Sequence, residues 1–326
     1  MRPTFSIIAF TTLSGIGYGL LFLLGLALAT GAPTRPFLLF DAVHSLEPRY
    51  GLLAALATGS AFASVGLLAS LAHLGRPARA WRALSQWRSS WLSREGMAAI
   101  ATFAPIAAIA IVLVVRPDAR LALRLLGLLL AACCVVTVYC TARIYSSLPP
   151  IRAWHNRYTV PGYLLLGLYG GALWLLVVHA MTLGAGGLFL WAMIYCFANA
   201  VVVAPAAALC KRAYWCQLDS LPAQGAGTAT GLERLGEVSS FEQPHTEENY
   251  LTHEMGFVLA RKHSRRLRAI AFWLIVLSPI AMIVLEWLVG GPSLFVGAAF
   301  GTLGIFVERW LFFAEARHTV MAYYGR

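Results

Sequence analysis

The sequence predicts an all-α fold, a polytopic integral membrane bundle of eight transmembrane helices. Apolar residues make up 59% of the 326 residues and charged residues only 12%. The mean hydropathy of +0.71 lies outside the range of soluble globular proteins. Eight stretches each contain about 20 mostly apolar residues, the length that crosses a bilayer. We therefore expect a single membrane domain over residues 1–326.

Breaks rich in glycine and proline separate the predicted spans, because these residues interrupt helices and favour turns. The clearest lie at residues 31–33, 149–150, 184–187 and 290–292. The first span is too long for a signal peptide and lacks a cleavage motif, so we expect it to be retained as a helix. The predicted spans are 6–30, 51–73, 96–115, 124–147, 161–182, 187–210, 269–290 and 293–313.

Only one predicted connection is long. Residues 211–268 are polar and contain most of the acidic residues, so we expect a long cytoplasmic loop between spans six and seven. Within it, Leu251, Met255 and Leu259 recur at a four-residue spacing. That spacing places apolar side chains on one face of a helix and predicts an amphipathic helix over 247–268 that leads into span seven.

The basic residues predict the orientation of the chain. With eight spans, both termini lie on the same side as the connections 74–95, 148–160 and 211–268, and that side carries 20 of the 25 lysine and arginine residues. Loops rich in basic residues stay in the cytoplasm. We therefore expect a bacterial inner membrane protein with both termini in the cytoplasm. The net charge of +11 then serves topology and anionic-lipid contacts, not nucleic-acid binding.

The turn between spans two and three, residues 73–95, is the strongest candidate site. It holds one histidine, five arginines, three tryptophans and one carboxylate at a bilayer boundary, where ionisable groups are unfavourable unless they have a function. His73 ends one helix and Glu95 begins the next, so the two can face each other across a cleft. Two proton carriers at that depth suit a quinone, whose reduction takes up two protons with two electrons.

Arg76, Arg79 and Trp87 complete the predicted quinone-binding and proton-transfer site. Either arginine can pair with Glu95 and stabilise its charge. Trp87 can stack on a quinone ring, although an interfacial aromatic belt is the more common role of such tryptophans. His155 is a candidate residue in the wall of the same pocket. Two alternatives carry equal weight: contact with a partner subunit, or loop stapling, in which the histidine holds its own connection in place. We predict no residue that catalyses substrate chemistry and no metal ligand in this chain.

Charged residues elsewhere are predicted to lie at helix ends. Glu308 is expected to reach the interface, where it forms a boundary ion pair with Arg309. Lys211 and Arg212, followed by Tyr214, are interpreted as an interfacial anchor.

The cysteines and histidines predict no redox cofactor held by the chain itself. The six cysteines form no CxxC pair or ferredoxin-type run, so we expect them to be small apolar fillers and not ligands of an iron–sulfur cluster. Bis-histidine haem ligation needs two mid-span histidines at matched depth, and the sequence offers no such pair. We therefore expect no haem.

Three sequence blocks resemble the membrane anchor subunit family of DMSO reductase. They are His73-Leu-Gly-Arg-Pro77 with the turn that leads to Glu95, residues 145–161, and residues 308–315. The first block alone is a weak signal, but the three in this order are specific and the similarity covers nearly the whole chain. His73 and Glu95 match functional positions of the family motif. The resemblance implies a haem-free, quinone-reactive anchor that holds a four-cluster iron–sulfur subunit, which carries a molybdopterin catalytic subunit.

Two branches of this family differ in the direction of electron flow. In one, a periplasmic DMSO reductase draws electrons from menaquinol. In the other, a cytoplasmic sulfite-oxidising enzyme passes electrons to quinone. The family docks its soluble subunits on the side of the termini, which the charge distribution places in the cytoplasm. The sequence therefore favours the sulfite-oxidising branch, with ubiquinone or menaquinone as acceptor and the DMSO reductase type as the alternative.

Two other classes stay open on the sequence alone. A secondary transporter is also polytopic with ionisable residues in the membrane, but it should show broken helices at the midplane of corresponding halves, and these are not apparent. A purely structural anchor would need neither His73 nor Glu95.

Overall fold

The computed structural model describes residues 4–31, 48–72, 74, 76–222, 225–239, 241–242, 259–289 and 292–324. Within these ranges it does not describe the side chains of 48, 183–197, 200, 259–262, 286–287, 292–293 and 323–324. Within these ranges the chain forms helices and turns and no strand. Short 3-10 helices cover Pro77–Gln86, Glu233–Leu235 and Thr319–Tyr324, and a short α-helix covers Ala226–Thr230. The long helices are α1 (Phe5–Thr30), α2 (Pro48–Leu71), α3 (Trp91–Val115), α4 (Arg120–Ser146), α5 (Thr159–Ala198), α6 (Ala204–Asp219), α7 (Leu259–Val289) and α8 (Pro292–Ala314).

Seven helical stretches of the described chain are long and apolar enough to cross a membrane. This confirms the all-α membrane class. The predicted sixth span, 187–210, contains many residues whose side chains are not described, so the count of eight stays a prediction. The seven stretches are Phe5–Thr30, Arg49–Leu71, Trp91–Val115, Arg120–Ser146, Thr159–Thr182, His263–Leu285 and Leu294–Ala314.

The chain reverses direction between the first part of α5 and α6. Asn199 Nδ2 donates to the carbonyl oxygen of Tyr169 at 3.4 Å, and Cys210 Sγ lies 3.9 Å from the carbonyl oxygen of Tyr158. A straight α-helix would separate Tyr169 from Asn199 by about 45 Å. The two segments therefore run antiparallel, and the predicted break at 184–187 lies in the interval where the chain turns back.

α6 and α7 extend into the predicted long connection 211–268. α6 ends at Asp219, and α7 begins at Leu259, so residues at both ends of the connection are helical. Of the predicted amphipathic helix over 247–268, residues 247–258 lie outside the described part of the chain. The remainder forms the start of α7.

Helix α1 packs against α2, α4 and α5, and glycines allow these helices to approach closely. A β-carbon on Gly25 would lie 2.6 Å from the carbonyl oxygen of Gly127 in α4. A β-carbon on Gly19 would overlap the carbonyl oxygen of Gly167 in α5. Close backbone approach through small residues is how membrane helices gain van der Waals contact, since lipid supplies little hydrophobic driving force between them.

Replacing Gly19 with alanine is therefore expected to destabilise the bundle, because the added methyl group meets backbone that cannot move aside. Overpacking of this kind costs about 1–3 kcal/mol. Thermal unfolding of the full-length chain in detergent measures the effect. Gly15→Ala, one turn earlier on the same helix, is the matched control because its β-carbon would have its nearest neighbour at 3.9 Å. Equal unfolding midpoints for the two variants would contradict the close approach of α1 and α5.

Candidate functional site

The connection between α2 and α3 is exposed but firmly attached to the bundle. Its 3-10 helix, Pro77–Gln86, has no buried residue, and Trp81 and Trp87 are 68% and 52% exposed. Ser93 Oγ in α3 donates to a carbonyl oxygen of the 3-10 helix, and Arg94 Nε donates to the carbonyl oxygen of Trp87 at 2.9 Å. These bonds fix the path of the connection, so its aromatic and cationic side chains face outward from a defined position.

Glu95 lies in the second turn of α3 and is only 4% exposed. Its carboxylate accepts a hydrogen bond from the Thr141 hydroxyl of α4. That hydroxyl also lies 3.1 Å from the carbonyl oxygen of Thr137, and its single hydrogen serves one acceptor at a time. Within the described ranges, no ion pair joins Glu95 to a cation. Glu95 is thus a buried carboxyl group that one hydroxyl positions and no described charge neutralises.

Three tyrosines on different helices lie near Glu95. Tyr18 of α1, Tyr145 of α4 and Tyr163 of α5 interact electrostatically with its carboxylate. The Tyr18 hydroxyl is buried and has no hydrogen-bond partner in the part of the chain that the structure describes. An unpaired hydroxyl in an apolar interior is unfavourable, and such a group in a native protein calls for a functional explanation. The surroundings of Glu95 therefore combine a proton carrier with an available hydrogen-bond donor.

The structure brings only part of the predicted site together. Arg76 and Arg79 are exposed, and neither forms an ion pair with Glu95 among the described side chains. Trp87 is exposed on the same connection, and His73 lies outside the described residues. The expected pairing of an arginine with Glu95 is therefore not observed, because both guanidinium groups lie on the outward face of the connection.

His155 lies at the same end of the bundle as Glu95, although its side chain is exposed. Its ring Nδ1 is 2.7 Å from the carbonyl oxygen of Ser146, at the end of α4. Ser146 lies five residues beyond Thr141, about 7.5 Å along the helix axis. The contact fits the stapling role considered for this histidine, and its role as a pocket wall stays a prediction.

An aromatic cluster fastens the connection after α4 to the end of α8. Trp154 Nε1 donates to the carbonyl oxygen of Phe312 at 2.9 Å, and the two rings stack with centroids 5.8 Å apart. Tyr145 packs edge-on against both rings, at 5.2 and 5.6 Å. The sequence blocks 145–161 and 308–315 thus meet at one end of the bundle.

A buried ion cluster of Lys211, Glu308 and Arg309 lies beside these rings. Lys211 Nζ is 2.5 Å from Glu308 Oε1, and Arg309 Nε is 2.6 Å from Glu308 Oε2, with side chains 4%, 0% and 2% exposed. Lys211 Nζ lies 3.8 Å from the ring centroid of Tyr214, and Arg309 Cζ lies 4.0 Å from that of Tyr163. One carboxylate faces two cations, and the aromatic faces compensate part of the excess positive charge.

The ion pair predicted between Glu308 and Arg309 is confirmed, and the interfacial depth expected for these residues and for Lys211 and Tyr214 stays a prediction. Their burial within the protein and the contact of Lys211 with Glu308 were not predicted. Both arise because α6 packs against the other helices at this level and brings its lysine onto α8. The sequence did contain a signal for a contact of this kind. Glu308 and Arg309 lie within a continuous apolar helix, where charged side chains require partners from another helix.

The fold and site define a multi-pass membrane protein with a buried carboxyl group near one end of its bundle, and the comparisons place it in a family. Residues 2–277 match the model of the DMSO reductase anchor subunit (DmsC) family. The C subunit of the sulfite dehydrogenase of Allochromatium vinosum is 31% identical over 339 residues, covering 99% of both proteins. The C component of the anaerobic dimethyl sulfoxide reductase of Escherichia coli is 31% identical over 130 residues, covering 40% of this protein and 44% of that one. The protein belongs to the DMSO reductase anchor subunit family.

The charge balance of the buried ion cluster predicts an order of stability for two variants. Glu308→Gln leaves two buried cations without their shared carboxylate, and breaking a buried pair in this way costs about 3–5 kcal/mol. Lys211→Met leaves the neutral pair of Glu308 and Arg309, so its loss should be smaller. Thermal unfolding of the full-length chain in detergent gives the comparison. If Lys211→Met lowers the midpoint as much as Glu308→Gln does, the charge argument fails.

Proposed function

We propose that this chain is the quinone-reactive membrane anchor of an oxidoreductase complex, and that it passes electrons between an iron–sulfur subunit and membrane quinone. Membership in the anchor family supports the anchor role. The observation that carries the quinone role is Glu95, a buried carboxyl group near the membrane boundary without a described counter-ion. Substrate chemistry belongs to a partner subunit that carries molybdopterin, and a four-cluster iron–sulfur subunit links it to this chain.

The proposed reaction of the complex is sulfite oxidation coupled to quinone reduction. The relative that matches over 99% of both proteins is a subunit of a sulfite dehydrogenase. The relative from an anaerobic dimethyl sulfoxide reductase matches over 40% of this chain. An anchor that oxidises menaquinol for a DMSO reductase-type complex is the alternative, which the family match also supports.

The residues around Glu95 fit a quinone head group, which needs an apolar pocket with a few placed polar groups. A quinone supplies two-electron chemistry that takes up two protons on reduction. Glu95 holds and releases a proton at its carboxyl oxygen, and the Thr141 hydroxyl orients that carboxyl group. Tyr18 provides a hydroxyl that has no partner among the described residues and is available as a hydrogen-bond donor. The other proposed members of the site are His73, Arg76, Arg79 and Trp87, with His155 at its wall.

The proposed orientation places both termini in the cytoplasm. Contacts join the start of α3 to the end of α4 and the connection after α4 to the end of α8. These elements therefore share one end of the bundle. Because the connections on this side hold most of the basic residues, the positive-inside rule supports a cytoplasmic position for this end and for the docked subunits.

The quinone role predicts a specific defect in Glu95→Gln. Glutamine keeps an oxygen that accepts the Thr141 hydrogen bond but cannot carry a proton, so assembly should be normal while electron exchange with a quinone analogue falls about 10²-fold or more. His73→Ala should show the same defect. The measurement is quinone reduction by the isolated complex, beside substrate oxidation with an artificial soluble acceptor, which should be retained.

Glu233→Gln is the control. It makes the same chemical change as Glu95→Gln, but at a glutamate that is exposed in the long connection. Its quinone turnover should match that of the wild type. Wild-type quinone turnover in correctly assembled Glu95→Gln and His73→Ala complexes would remove both residues from the site. Loss of assembly together with activity would favour a purely structural anchor.

The orientation predicts that a reporter fused after Arg326 is cytoplasmic. Alkaline phosphatase folds to its active form in the periplasm, so the fusion should be inactive, whereas a fluorescent protein fused at the same position should be bright. An active phosphatase fusion would reverse the orientation and favour the DMSO reductase-type alternative.

A further inference from the structure

A cavity of about 440 Å³ lies at the end of the bundle where α6 and α8 end and α7 begins. Its volume falls within the range of small-ligand sites. The connection after α4 and the segment after α8 complete its wall, and Thr319 N donates to the carbonyl oxygen of Pro150 to hold these two together. The charged residues of the lining are Arg152, Arg265, Arg268, Arg317, Asp219 and Glu315.

Three of these residues form an ion-pair network in which Arg268 faces two carboxylates. Arg268 Nε lies 2.8 Å from Glu315 Oε1, and Arg268 Nη1 lies 2.7 Å from Asp219 Oδ2. The network ties α6, α7 and the end of α8 together. Burial raises the pKa of the Glu315 carboxyl group, although Arg268 opposes the shift. With one guanidinium group against two carboxylates, the network contributes at most one net negative charge to the cavity.

The other three arginines are available to a ligand. In the described ranges, Arg152, Arg265 and Arg317 form no ion pair and donate no side-chain hydrogen bond. Arg265 and Arg317 are exposed, and Arg152 is half-buried. Four guanidinium groups against two carboxylates leave the cavity with an excess of two positive charges. A concave site with free guanidinium groups recognises an anion with several acceptor oxygens, because each guanidinium can donate two parallel hydrogen bonds.

We propose that this cavity binds a phosphate-bearing anion, which in the membrane is the head group of an anionic phospholipid. The membrane-spanning part of α7 begins at His263, so Arg265 lies in the first turn of that part, at the level of lipid head groups. Basic pockets between membrane helices bind such head groups. Free inorganic phosphate shares the chemistry but has no membrane to concentrate it at this level. The site is separate from Glu95 and does not rest on the proposed quinone role.

The test is lipid binding to the purified full-length chain in neutral detergent, followed by native mass spectrometry. The probes are phosphatidylglycerol, phosphatidylcholine and inorganic phosphate. The wild type should retain phosphatidylglycerol in preference to phosphatidylcholine. Arg265→Gln/Arg317→Gln should bind phosphatidylglycerol about tenfold more weakly or worse, the effect expected for two arginines near a membrane surface.

The control is Arg212→Gln/Arg234→Gln, which removes two exposed arginines outside the cavity. It should bind phosphatidylglycerol as the wild type does, and matching unfolding midpoints establish that all variants fold. Equal losses in both double variants, or no preference for phosphatidylglycerol, would overturn the proposal. Binding of inorganic phosphate that phosphatidylglycerol does not displace would keep the anion site and overturn the lipid source. If the cavity variant keeps its lipid but loses the soluble subunits from the isolated complex, the cavity is a protein-docking surface and the proposal fails.

Discussion

A charged side chain inside a membrane bundle must find its compensation within the bundle, because neither water nor head groups reach it. The buried ion cluster meets this constraint by bringing Lys211 of α6 onto Glu308 of α8. The contact fixes how α6 and α8 pack against each other. Tyr163 of α5 is joined to them because Arg309 lies over the face of its ring. The relative positions of three helices at this end therefore depend on one shared carboxylate.

The aromatic cluster extends this arrangement to the connections. Trp154 can stack on Phe312 only because the end of α8 is held beside α5. Tyr145 then links the same rings to α4, the helix whose Thr141 orients Glu95. The end of the bundle is thus continuous from the ion cluster to the candidate site, although the two have different electrostatics. In the cluster the carboxylate faces two cations, whereas Glu95 has no described counter-ion.

The same contrast separates the two sites proposed here. Around Glu95 the interior holds a carboxyl group and a tyrosine hydroxyl without a described partner, and this setting suits proton transfer to an apolar molecule. In the cavity both carboxylates pair with Arg268. The guanidinium groups of the other lining arginines have no described partner, and this setting suits the binding of an anion. Both lie at the end for which we propose a cytoplasmic position, where the proposed soluble partner and anionic lipid would meet the chain.

The sequence by itself determined the membrane class, seven of the spans and the family, because hydropathy and local motifs act over short distances along the chain. It also singled out Glu95 as a candidate site residue, which stays a prediction. The sequence did not determine what Glu95 contacts. It predicted an arginine as the partner of Glu95, but in the structure both candidate arginines face outward. It also did not predict that Lys211 and Glu308 pair with each other. Residues 211 and 308 become neighbours only when α6 folds back along α5 and α8 closes the bundle. Long-range pairing of that kind depends on how whole helices pack, and the tertiary structure alone decides it.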